Sequence, residues 1–349
     1  MKFIKNAWYA AAWADELSSS LLGRIILGEP ILLYRKQDRT AVALSDTCPH
    51  RFAPLHKGKL LGDAVQCPYH GLTFDESGAC VRNPHGEGKI PKAARLRTYP
   101  LAEKDTVIWI WMADPARADP STIPAFPALN DRLNFAHTAG QVMTMPLRWD
   151  LILDNLLDLS HARFLHLGNL GSEAFSRGVM QVEQNGTTLQ VNNLYPNGLP
   201  APVFTGTGAC KPDDYVDYWV NVRWDPPGSL SFDAGITPTG RPRTEGMKLD
   251  SAQLLTPETE SSTHYFWRLF RSYRLEDVEL TKAIESMVAL AFHTEDEPMV
   301  AAVQERMRGR DLADLNPVML SVDSGAVRAR RILEGLIAEE ARGPVTVEA

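Results

Sequence analysis

The chain of 349 residues is too long for one small core, and its length predicts about two domains. Its 44% hydrophobic and 23% charged content is that of a soluble globular protein, and a net charge of -7 excludes the basic face that nucleic-acid binding requires. Four cysteines exclude a disulfide framework. No run approaches the roughly 18 apolar residues of a membrane span, and Asp15 and Glu16 interrupt the N-terminal apolar stretch before it could act as a secretory signal. A reducing, cytoplasmic setting and no membrane or nucleic-acid partner are expected.

Residues 1–114 read as short strands between turns. The runs 31–34, 41–44 and 107–111 are apolar, aromatic and β-branched, and Asp46, Gly62, Asp75, Gly78 and Asn83 supply turn chemistry between such runs. Pro115, Pro120, Pro124 and Pro127 then crowd a linker at 115–130, which proline keeps from being regular helix or central strand. Residues 131–349 change pattern. A helix is expected over 149–166, a hairpin over 178–195 turning at Asn185 and Gly186, strands at 215–224 and 263–269, and helices at 277–308 and 324–340. The fold class is therefore α+β: an all-β domain followed by an antiparallel sheet flanked by helices.

The first constellation is Cys48-Pro-His50, then after sixteen residues Cys67-Pro-Tyr-His70. Two thiolates and two imidazoles suit one tetrahedral zinc or one [2Fe–2S] cluster. Zinc ribbons and fingers mostly pair like with like, whereas here each loop supplies one Cys and one His. A Rieske cluster needs that mixture, because one iron takes both cysteines and the other both histidines, so each loop must reach both irons. Pro49, Pro68 and Gly71 suit rigid loops whose backbone N–H groups point at sulfur. Cys80 and Cys210 read as small buried hydrophobes, and His56 and His85 as loop residues, with His85 near the cluster. The absence of an extra cysteine pair points away from the Rieske protein of a quinol-oxidising complex.

The second constellation lies in the segment 149–166. Apolar residues at 151, 152, 156 and 159 mark a helical face, and Asn155, Asp158 and His161 recur every three residues beside it. Two readings stand: a solvated polar stripe, or groups that satisfy each other or a metal. His161 and His166 would lie about 140° apart on a regular helix, so both reach one metal only if a π-bulge or a break lies between them. Two imidazoles and one carboxylate make a facial triad with positions open for oxygen. Helical spacing does not choose between Glu295 and Asp296 for the carboxylate, and Pro298 is a potential helix breaker.

Together these motifs resemble the Rieske non-haem iron oxygenases over essentially the whole chain. Asp154-Asn-Leu-Leu-Asp158 with His161 and His166 fits the family pattern. The opening Lys5-Asn-Ala-Trp-Tyr9, Cys48-Pro-His-Arg-Phe-Ala-Pro-Leu55 and Asn83-Pro-His-Gly86 are similar to the aromatic O-demethylase branch, of the vanillate and dicamba type. The resemblance implies that Asp296 is the carboxylate ligand to Fe(II), and that Asp158, with Asn155 nearby, couples the two metals by bonding His161 and His70 of the partner subunit. That requires a ring, commonly a homotrimer. It also implies O2 as co-substrate and a separate reductase, with or without a ferredoxin, drawing on NAD(P)H. The expected reaction is O-demethylation of a methoxylated aromatic acid, releasing formaldehyde. Hydroxylation of a methyl group or ring and a simple Rieske electron carrier are the alternatives. Phe232, Asp233, Gln253 and Met287 are expected to face the substrate, with Gln253 as partner for its acid group.

Overall fold

Short β-branched and aromatic runs separated by Gly and Asp turns cannot build long elements, and the N-terminal third folds accordingly into small sheets. The computed structural model describes residues 3–342. These divide into two units, one of Lys5–Ile123 with Thr256–Glu260, the other of Pro124–Leu255 and Ser261 onward.

The first unit holds β1 (Trp8–Trp13), β2 (Leu22–Ile26), β3 (Glu29–Arg35), β4 (Ala41–Ser45), β5 (Lys59–Leu61), β6 (Ala64–Gln66), β7 (Thr73–Phe74), β8 (Cys80–Arg82), β9 (Leu101–Lys104) and β10 (Val107–Trp111). They form three antiparallel sheets, ordered β1-β10-β9, β2-β3-β4 and β5-β6-β7-β8. Leu32, Tyr34, Leu44, Val65 and Phe74 share a buried core with Cys48, Cys67 and Cys80. The proline-rich stretch makes three single 3-10 turns at Pro115–Arg117, Pro120–Thr122 and Pro127–Leu129, each with Pro opening the turn where no N–H is needed. Asp114 and Asp119 cap the first two. The boundary between the units falls inside this stretch, and sequence gave no sign that Thr256–Glu260 belongs with the first unit.

The second unit opens with β11 (Ala136–His137), β12 (Gln141–Met145), α1 (Trp149–Leu157) and α2 (Ala162–Leu165). Then come β13 (Val179–Asn185), β14 (Thr188–Gly198), α3 (Pro202–Thr205), β15 (Val216–Asp225), β16 (Ser229–Pro238), β17 (Met247–Pro257) and β18 (Thr263–Arg271). The chain closes with α4 (Val278–Ala291), α5 (Glu297–Met307) and α6 (Ser324–Arg342). Eight strands form one antiparallel sheet, β11-β18-β17-β16-β15-β14-β13, with β12 also on β18. Asn185 pairs with Thr188, so the hairpin turns on Gly186 and Thr187, one residue later than expected. Gly186 takes φ +58, as a two-residue turn of this kind requires. The α+β class holds for the described residues. No helix among them is long and apolar enough to cross a membrane.

Candidate metal centres and the cavity beside them

The two loops of the first constellation are built alike. In one, Phe52 N–H donates to the Cys48 carbonyl (2.9 Å) and Cys48 N–H to the Ala53 carbonyl (3.0 Å). In the other, Gly71 N–H donates to the Cys67 carbonyl (3.1 Å) and Cys67 N–H to the Leu72 carbonyl (2.8 Å). Each loop therefore closes over its own cysteine, and the fifth residue is left-handed in both: Phe52 at φ 57 and Gly71 at φ 75. The thiols point inward, with Cys48 and Cys67 in the apolar core, while His50 is exposed and His70 half-buried. Burial pushes the Cys48 thiol up to about 11, opposed by the backbone N–H groups of His50 and Arg51 that bond to it. The two imidazole rings stand 4.4 Å apart, and His70 Nδ1 is buried with no hydrogen-bond partner. An orphaned ring nitrogen beside a second imidazole and two inward thiols fits a cluster with a sulfur-held iron inside and a histidine-held iron outside.

His85 Nε2 lies 2.8 Å from the His70 carbonyl, so it sits beside this site without joining it. His56 is occupied elsewhere, its Nδ1 2.5 Å from Asp46 Oδ2. Cys80 is buried in the core and Cys210 partly buried.

The second constellation departs from the expected helix. α1 stops at Leu157, because Asp158 turns extended (φ -121, ψ 97) and its carboxylate accepts from Ser160 N–H, capping a 3-10 turn through His161. α2 adds one turn, and His166 ends it. The expected long helix over 149–166 is thus broken ahead of both histidines, and the turn between them is a 3-10 to α junction. The π segment lies instead at Phe292–Asp296, between α4 and α5. There Glu297 N–H donates to the Phe292 carbonyl, and the wider turn lets the helix run on past Pro298. The prediction of one helix over 277–308 holds with that bulge inside it.

These two irregularities bring His161, His166 and Asp296 together, with one ligand atom from each within 4.8 Å of the others. His161 Nδ1 donates to the Asp158 carbonyl (2.6 Å), which leaves Nε2 facing Asp296 Oδ1 at 3.6 Å. His166 Nδ1 donates to Glu295 Oε2 (2.6 Å), which leaves Nε2 3.2 Å from the same Asp296 Oδ1. Both rings therefore have Nδ1 anchored behind and Nε2 converging in front. Metal bonds near 2.1 Å at right angles would space two ligand atoms by about 3 Å, so the donor set fits a metal. Burial holds His161 below its ordinary pKa against the pull of Asp296. For His166 burial also lowers it, but the two carboxylates outweigh that and the net direction is upward.

Glu295 and Asp296, which spacing left undecided, divide the work of orienting and facing. Glu295 also accepts from Asn169 Nδ2 (3.1 Å) and fixes the His166 tautomer from behind. Asn155 Nδ2 donates to Asp296 Oδ1 (3.1 Å). The outer face of α1 is held by α6: Arg330 Nε lies 3.0 Å from both Asp154 oxygens, and its Nη1 3.3 Å from Asp150. Arg148 grips Asp150 at 2.9 and 3.0 Å.

The triad opens on a cavity of about 130 Å³ lined by one face of the sheet and the flanking helices. An engineered apolar cavity of about 150 Å³ holds benzene, so one aromatic ring is the natural scale. Phe232 and Gln253 line it; Asp233 and Met287 do not. Strand parity explains Asp233, since Phe232 and Ala234 face the cavity and the residue between them must point away. It meets Lys248, Trp219 and Asn221 on the opposite face. Met287 is one helical step from Val288, which does line the cavity. Sequence reasoning missed Ser251, although alternation from Gln253 puts it on the same face, and it missed Tyr265, whose hydroxyl donates to Gln253 Oε1.

Two family models match the two units. The Rieske [2Fe-2S] domain matches residues 7–100, and the vanillate O-demethylase oxygenase C-terminal domain matches residues 145–339. The chain is 40% identical to the oxygenase component of dicamba O-demethylase from Stenotrophomonas maltophilia, over 96% of this chain and 98% of that one. It is 38% identical to the oxygenase component of chloroacetanilide N-alkylformylase from Rhizorhabdus wittichii, over 98% of each. A crystal structure of dicamba monooxygenase bound to dicamba matches it with a TM-score of 0.91 at 38% identity, over 98% of this chain and all of that one. The chain belongs to the Rieske non-haem iron oxygenases, with a C-terminal domain of the vanillate O-demethylase type. It is an oxygenase component whose cofactors are a [2Fe–2S] cluster and a mononuclear iron, with O2 as co-substrate. The zinc and simple electron-carrier readings fall with that assignment.

Proposed function

We propose that the chain demethylates a methoxylated single-ring aromatic compound, by hydroxylating the methyl carbon of an aryl ether. The observation that carries the reading is the convergence of His161 Nε2, His166 Nε2 and Asp296 Oδ1 on a cavity the size of one ring. Cys48, His50, Cys67 and His70 hold the cluster in this reading; His161, His166 and Asp296 hold the mononuclear iron. That iron supplies reductive activation of O2, and the cluster supplies electrons from a reductase or ferredoxin. Methyl ether, O2, two electrons and two protons give a hemiacetal and water, and the hemiacetal collapses to a phenol and formaldehyde.

The chain's own residues set the geometry. Glu295 and the Asp158 carbonyl anchor the two rings, Asn155 orients Asp296, and the apolar walls keep bulk water from the ring. Asp158 presents its carbonyl to His161 and its carboxylate to Ser160 N–H. In a homotrimer the free side of that carboxylate would meet His70 of the partner subunit and couple cluster to iron. A second reading, removal of an N-alkyl group, is favoured by the 38% identity to a chloroacetanilide N-alkylformylase component. The test supplies reductase, NAD(P)H and labelled O2 to the loaded protein with methoxylated arenes. One formaldehyde and one phenol per turnover are expected; oxidation of the ring without formaldehyde would overturn the reading.

A further inference from the structure

Every polar group along the cavity wall is uncharged or belongs to the triad. Among the described residues lining it there is no lysine or arginine; Phe175, Phe204, Leu249, Leu269 and Val288 are among its apolar lining. The cations flanking the lining residues face away or are paired elsewhere. Arg268 precedes Leu269 on β18, so strand alternation turns it to the opposite face, and Arg163, beside Ala162, pairs with Glu173 (3.0 Å). Lys248, beside Leu249, points to the far face of the sheet and pairs with Asp233 (2.7 Å) and Asp250 (3.0 Å). Arg271 does not line the cavity; its two Nη groups donate to the carbonyls of Tyr273, Arg274 and Asp277 and to the Thr281 hydroxyl, while its Nε is buried without a partner. At the triad, the Asp296 and Glu295 carboxylates, both bonded to His166, would offset the two charges of a ferrous ion held there, leaving it little surplus positive charge for an anion.

The neutral groups have a definite polarity. Gln253 Oε1 already accepts from Tyr265, and one hydrogen of its Nε2 goes to Ser251 Oγ (3.0 Å). That leaves the second Nε2 hydrogen and the Ser251 hydroxyl proton as donors on the cavity face. Tyr218 adds a phenol that burial keeps far above its usual pKa, so it stays protonated. A carboxylate moved from water into this wall would lose its hydration with no cation in return, whereas a carbonyl oxygen would find two donors.

We infer that the substrate is an uncharged single-ring compound bearing a neutral hydrogen-bond acceptor such as an amide carbonyl, met by Gln253 and Ser251, and not an aromatic acid. The inference rests on the dealkylation reading for what then happens to the ring substituent, and it replaces the acid group expected from sequence. The experiment is anaerobic titration calorimetry of the metal-loaded protein with isosteric pairs, 2-methoxybenzamide against 2-methoxybenzoate and the amide of vanillate against vanillate. The amides are expected to bind at least fivefold more tightly in both pairs. A smaller advantage, the reverse order, or no measurable binding of any of the four overturns the inference. Gln253→Arg is expected to reverse the order; a folded variant that still prefers amides overturns the role of Gln253, and the wild-type comparison stands whether or not the variant folds. Adding reductant and O2 separates the two claims. Amides that bind but release no formaldehyde sink dealkylation and leave the inference, while acids that bind more tightly and do release it sink the inference and leave dealkylation.

Discussion

The two metal regions of this chain are assembled on opposite plans. The cluster loops are local: 23 residues from Cys48 to His70 contain all four candidate ligands, and each loop closes on its own cysteine through the same pair of backbone hydrogen bonds. The triad is remote. His161 and His166 come from a broken helix, Asp296 from a π segment whose bond to Asn155 spans 141 positions, and both helices depend on partners further along the chain. Turn chemistry shapes each loop of the local site, whose cysteines then pack into the first unit's core; the remote site is shaped only by the packed second unit.

The largest effects should separate the two sites completely. Cys67→Ala is expected to remove the visible cluster absorption and about two of the three irons per chain, leaving the mononuclear site filled. His161→Ala should keep the cluster spectrum, lose about one iron, and lower turnover by at least about 10³-fold, because the ligand that converges on Asp296 is gone. Iron analysis and visible spectra on both variants check this. If His161→Ala also bleached the cluster, or turned over normally, the sites would not be independent as described.

A next tier tests the remote scaffold. Arg330→Met leaves Asp154 and Asp150 in a largely buried pocket with one cation fewer, and breaking such a pair costs about 3 kcal/mol. The loss should show in urea unfolding of the catalytic unit, followed by tryptophan fluorescence, with the cluster colour unaffected at low urea. Asp154→Asn added to Arg330→Met should recover part of it. Glu295→Gln removes the charge behind His166 while keeping an acceptor, and should cost about 10- to 100-fold in iron affinity or turnover. An unchanged iron affinity and rate would show that Glu295 only fills space.

Legibility followed the same divide. The Rieske domain could be read because two Cys and two His at fixed short spacing have few other uses, and the loops that carry these candidate ligands needed no knowledge of the rest of the fold. The 3.6-residue period correctly warned that His161 and His166 do not converge on a regular helix. It could not say where the helix would break, because that is decided by Asp158 capping Ser160 and by room for a π turn ahead of Pro298. The role of Glu295 was hidden for the same reason: one extra residue in the turn swings two consecutive carboxylates to opposite sides of His166. In the cavity, strand alternation was available and would have rejected Asp233 and added Ser251. What no local rule supplied was the neutral character of the wall, which emerges only when strands β15 to β18 and helix α4 are brought side by side.

The smallest expected effect probes the likeness of the two cluster loops. Both place their fifth residue in the left-handed region, yet one uses glycine and the other phenylalanine. Gly71→Ala should destabilise its loop by about 1–2 kcal/mol, since a side chain at φ 75 is strained and its Cβ would lie 3.1 Å from Pro84 Cγ. Phe52 already bears that strain and is 77% exposed, so little burial is lost on removing it. In Phe52→Gly, the relief of roughly 1–2 kcal/mol is largely offset by the extra chain entropy of glycine, about 0.5–1 kcal/mol, and the net change should stay within about 1 kcal/mol on the favourable side. The urea midpoint for loss of cluster absorption reads both variants on one scale. A lower midpoint for Gly71→Ala with an equal or higher one for Phe52→Gly would show that the shared turn, and not the identity of the side chain, sets the stability of each loop. A large drop for Phe52→Gly would mean that the exposed ring is held by a contact that the loop geometry does not explain.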